Sequence, residues 1–78
     1  MFVKLRVVEG GYALIQARDV MSLFVYRTRH HKTDEEVTRV EINYRVGKYQ
    51  DIYVTDSVEE VVTKFENANQ VLEPFRPL

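Results

Sequence analysis

Apolar and polar residues alternate through most of this chain, and the spacing turns helical near its C-terminal end. Val40, Ile42, Tyr44 and Val46 interleave with Arg39, Glu41, Asn43 and Arg45, the period-two pattern of a strand with one buried face. Met21, Leu23 and Val25 continue the pattern upstream, and Ile52 and Val54 downstream. Residues 2–8 and 12–18 flank Gly10-Gly11, a hairpin signal. Lys32, Thr33, Asp34 and Glu35 supply a polar turn between residues 21–31 and 37–46, and Gly47-Lys48 reverses the chain into residues 50–55. Because the connections are short, the expected topology is an antiparallel meander.

Alternation also suggests registers. A turn centred on Thr33-Asp34 pairs Val25 with Ile42 and Leu23 with Tyr44. A loop at residues 47–49 pairs Tyr44 with Ile52 and Ile42 with Val54, and sets Arg45 across from Asp51. In the first hairpin, Val3, Leu5 and Val7 face inward with Ala13, Ile15 and Ala17 if Gly10, Gly11 and Tyr12 form the loop. The helix follows. Val58, Val61, Val62, Phe65 and Ala68 form one apolar stripe. Either Asp56 with Glu59 or Ser57 with Glu60 supplies a capping box. Asn67 and Asn69 weaken the helix end, and the prolines at 74 and 77 cannot continue it.

The expected fold class is therefore α+β: a five-stranded, mainly antiparallel β-meander with one C-terminal helix packed on one face. Residues 1–72 form a single domain, and residues 73–78 a proline-containing tail. With 78 residues and no cysteine, the chain has a thin core and no disulfide to support it. No apolar run reaches the roughly 20 residues of a membrane span, and the N-terminus lacks a signal-peptide pattern, so a cytoplasmic protein is expected.

One helix covers one face of a sheet, which leaves the other face open. On that face the alternation places Phe24, Tyr26, Thr28 and His30, then Arg39, Glu41, Asn43 and Arg45, then Tyr49, Asp51 and Tyr53, with Phe24, Asn43 and Tyr53 in one row. Aromatic residues mixed with arginine match interface composition. Charge adds an asymmetry: residues 1–33 carry six basic and two acidic side chains, and residues 51–78 carry two basic and six acidic ones. The long hairpin becomes an arm with Arg27, Arg29, His30, His31 and Lys32 near its tip.

The expected binding set is thus Phe24, Tyr26, Arg39, Arg45 and Tyr53 on the face, with Arg27, Arg29 and His31 on the arm. Two functions compete for it. In one, the face buries against a second copy or another protein, and the chain is a small non-catalytic accessory module in a homodimer or larger assembly. In the other, the rings stack on bases while the arginines hold the phosphates of a nucleotide or nucleic acid, as in a phage- or plasmid-encoded factor. The sequence pI near 6.1 weighs against nucleic acid.

Catalytic signatures are missing. His30 and His31 are strand neighbours expected to point to opposite faces, and no further histidine or cysteine completes a metal site. Ser22 and Ser57 are the only serines, and no phosphate-cradling glycine loop follows Gly10-Gly11. The expectation is no enzyme, no cofactor and no metal.

The stretches Asp19-Val20-Met21-Ser22-Leu23, Val40-Glu41-Ile42 leading to Gly47, Tyr53-Val54, and Ser57-Val58-Glu59-Glu60-Val61-Val62 resemble the small flagellar and swarming-motility FlbD-like proteins. The resemblance covers about half the chain. It implies strands ahead of a Ser-x-Glu-Glu-Val helix and a non-enzymatic accessory protein that acts through contacts.

Overall fold

The alternating segments do form strands, but in two sheets. A computed structural model of the chain describes residues 1–72, so the expected tail at 73–78 lies outside the described residues. The elements run β1 (Phe2–Arg6), β2 (Tyr12–Gln16), a 3₁₀ turn (Ala17–Asp19), β3 (Val20–Arg29), β4 (Glu36–Tyr44), β5 (Tyr49–Val54) and α1 (Val58–Leu72). Strands β1 and β2 make one antiparallel pair, and β3, β4 and β5 make a second antiparallel sheet in that order.

This corrects the expected single five-stranded meander. The 3₁₀ turn ends β2 at Gln16 and leads the chain to β3 without pairing the two strands. The sheets instead meet on the far side. Val7 bridges Val54, Val8 N–H donates to the Tyr53 carbonyl at 3.0 Å, and Thr55 N–H donates to the Arg6 carbonyl at 2.9 Å. Both sheets feed one core. Leu5, Val40, Ile42, Val54 and Val61 are fully shielded, with Val3, Ile15, Ala17, Phe65 and Ala68 around them.

Side-chain parity agrees with the alternation, but the registers differ. Val25 opposes Val40 and Leu23 opposes Ile42, a slip of two residues from the expected pairing. Val40 opposes Ile52, Thr38 opposes Val54 and Ile42 opposes Gln50, a slip of four. An even slip keeps every side chain on its own face, so the hydrophobic pattern does not choose among such registers. The turns choose. Asp34 takes a left-handed conformation (φ 60°), and His30 N–H bonds the Glu35 carbonyl at 2.8 Å. Gly47 at φ 89° closes a loop over residues 45–48, a conformation that a side chain would strain.

Two expected inward residues are displaced. Met21 sits at a register irregularity between Val20 and Ser22 and is 64% exposed, and Val46 lies in the β4–β5 loop. The helix buries Val61, Phe65 and Ala68 as its stripe requires, while Val62 at the margin stays open. Ser57 and Glu60 form the capping box: Glu60 N–H donates to Ser57 Oγ at 3.0 Å, and Ser57 N–H donates to Glu60 Oε1 at 2.8 Å. No helix among the described residues is long and apolar enough to cross a membrane.

Candidate functional site

The outer face of the β3–β4–β5 sheet carries three cross-strand rows. Ser22, Asn43 and Tyr49 form the first, Phe24, Glu41 and Asp51 the second, and Tyr26, Arg39 and Tyr53 the third. The expected row of Phe24, Asn43 and Tyr53 is replaced because both strand pairs are slipped. Phe24 is 66% exposed, Tyr49 is exposed, and Tyr26 is partly open.

The slip also redistributes charge. Arg39 binds Asp51 through two nitrogens, with Nε to Oδ1 at 2.9 Å and Nη2 to Oδ2 at 2.5 Å. Those hydrogen bonds hold its guanidinium charged more firmly than usual. The same guanidinium lies 5.5 Å from the centre of the Tyr53 ring. The Tyr26 hydroxyl donates to the Glu41 carboxylate, which raises the Tyr26 pKa because the bond favours the neutral phenol. Glu41, Asp51 and Tyr49 were not in the expected set. Their parity is readable from the alternation, but their partners depend on the register.

Arg45 is not on this face. It leaves β4 for the loop, where its N–H donates to the Asp19 carbonyl at 2.8 Å and its Nε to the Arg18 carbonyl at 2.9 Å. It ties the 3₁₀ turn to the end of β4. On the hairpin, Arg27 pairs with Glu36 on β4, and Arg29 donates to the Asp34 carbonyl at 2.7 Å. Both side chains remain exposed.

The hairpin end is held against its own molecule, not presented as a free arm. His30 is buried, its Nε2 is 3.7 Å from Glu9, and Lys32 Nζ is 3.4 Å from the same carboxylate. Its ring stacks on His31 at 4.8 Å and meets Tyr53 edge-on at 5.2 Å. The two histidines share a side because β3 ends at Arg29 and both lie beyond it, His31 in the turn, which corrects the expected opposition. His31 is 5.9 Å from Tyr53, so Tyr53 is half-covered by its own chain. A cavity of about 210 Å³ lies between the first loop and β5, lined by Val8, Glu9, His30, Asp51 and Tyr53 among others. Among the described residues, no three His, Cys, Asp or Glu side chains converge as a metal site.

The face therefore sets rings beside one arginine that is paired with two carboxylates. Phe24, Tyr26, Arg39 and Tyr53 are brought together. Arg27, Arg29 and His31 lie toward the hairpin end, and Arg45 lies at the opposite end, in the loop. Comparison of the chain with protein-family models, with curated proteins and with solved structures finds no match.

Proposed function

We propose that this chain is a small non-catalytic, protein-binding accessory module that works in the cytoplasm through the outer face of its three-stranded sheet. One observation carries the reading: exposed Phe24 and Tyr49, with Tyr26 on the same face, stand beside arginine and acidic side chains that already bond within the chain. Exposed rings over hydrogen-bonded neighbours suit burial against a protein, where aromatic anchors supply most of the binding energy. The resemblance to FlbD-like accessory proteins agrees with it. An anionic ligand is the weaker alternative, since Arg39 is committed to Asp51, Arg27 to Glu36 and Arg29 to the Asp34 backbone.

Sedimentation at micromolar concentration tests the proposal. The chain should sediment above its monomer mass, and the Phe24→Ser variant should shift toward monomer while keeping the circular-dichroism spectrum of the fold. A variant that associates equally well overturns the role of the outer face, and a wild-type chain that stays monomeric removes self-association and leaves another protein as the partner. Salt-sensitive binding to an oligonucleotide would transfer the face to the anionic reading.

A further inference from the structure

Strand β3 is an outer edge of the three-stranded sheet, and among the described residues no strand pairs with its far side. Alternate N–H and C=O groups along its ten residues thus face away from β4. Edges of this kind are usually blunted by proline, charge, a bulge or a covering element. Here the blunting sits at the ends, with the irregularity at Met21 on one side and Arg27 and Arg29 on the other. The middle is regular and apolar. Leu23 and Val25 belong to the core side yet are only half-buried, and Phe24 is open on the other side.

We propose that β3 is the seam of a two-fold dimer, pairing antiparallel with β3 of a second copy so that two three-stranded sheets become one of six strands. The inference rests on the protein-contact reading, names a second copy as the partner and moves the contact to the sheet edge, where Phe24 flanks the seam and Tyr49 on β5 lies outside it. The sequence of β3 selects both orientation and register. Parallel in-register pairing would set Arg27 and Arg29 directly beside their equivalents, a like-charge arrangement. Antiparallel pairing centred on Val25 sets Phe24 opposite Tyr26 and Ser22 opposite Thr28 on the outer side. On the core side it sets Val25 opposite itself and Leu23 opposite the Arg27 stem. Aromatic, hydroxyl and β-branched pairs are all favourable across strands, and the arginines end up at opposite ends of the seam. Re-centring on Phe24 would draw irregular Met21 into the pairing. Re-centring on Tyr26 would set Val25 opposite Arg27 and so bring the two copies of Arg27 to within two residues of each other, a like-charge approach.

The chain has no cysteine, so an introduced one is its only thiol. Directly opposed residues of an antiparallel pair lie about 4.5–5.5 Å apart at Cα, inside the roughly 4.4–6.8 Å range of a disulfide. Oxidised Val25→Cys should therefore convert to a covalent dimer. Thr28→Cys should stay monomeric in the same assay, because its two copies would lie about 20 Å apart along the seam. A mixture of Phe24→Cys and Tyr26→Cys chains, altered only on the outer side, should cross-link to each other faster than to themselves. It serves if Val25→Cys does not fold. Equal cross-linking of Val25→Cys and Thr28→Cys, or of the mixed and unmixed chains, overturns the seam. If sedimentation still shows association, the protein-contact reading stands without the seam. A monomer in sedimentation overturns the seam.

Discussion

Asp56 shows how a single side chain can join distant parts of the fold. Its Oδ1 accepts the Arg6 backbone N–H and its Oδ2 accepts Lys64 Nζ, each at 2.8 Å, and Lys64 also donates to the Lys4 carbonyl. Strand β1 and helix α1 are thereby fastened through one carboxylate. Burial pushes its pKa up, but the bonds from Lys64 and Arg6 outweigh burial and the net shift is downward. A carboxylate lowered in the folded state contributes stability that is fully present above its unfolded value of about 3.9 and is lost as pH falls through the folded value. Asp56→Asn should cost about 2 kcal/mol at neutral pH, since it weakens charge-assisted bonds. The gap from wild type should shrink in melts as pH falls below about 4 and close once pH passes the lowered folded value, where the native carboxylate also becomes neutral. A gap that is constant down to pH 2 would contradict this role.

Helix α1 is the element whose sequence and structure agree most closely. Ser57 and Glu60 bond reciprocally at its start, and Val61, Phe65 and Ala68 enter the core. Ser57→Ala should lower stability by about 1 kcal/mol, seen as a fall in the denaturant midpoint with unchanged slope. The helix was legible because a 3.6-residue stripe and its cap are local signals. Strand faces were legible too, since parity survives in Leu5, Ile15, Val40, Ile42 and Val54. The pairings were less so. A period-two pattern is unchanged by a slip of two or four residues, and what set the slip was the left-handed Asp34 and a loop that takes in Arg45 and Val46. Ala17-Arg18-Asp19 contains no glycine or proline, so the break between the sheets reads as strand. The docking of Val8 and Glu9 near Tyr53 and His30 is a long-range contact with no local signature. For the candidate site, Phe24, Tyr26, Arg39 and Tyr53 follow from parity alone, whereas Arg45 needed the register.

At the scale of the molecule, the two sheets share few backbone bonds but one interior. Leu5 of the hairpin is as fully shielded as Ile42 of the larger sheet. Leu5→Ala should therefore destabilise the whole fold by about 3 kcal/mol and lower hydrogen-exchange protection in β4 together with that in β1. Selective loss in the hairpin would show that the sheets unfold separately. The outer face has a different consequence for the whole. Its ionic groups lie beside opposite charges within the chain, Arg39 beside Asp51 and Glu41, Arg27 beside Glu36 and Arg29 beside Asp34. A partner meeting it encounters little net field, so recognition there depends on the fit of ring against ring, and added electrolyte has little attraction to screen.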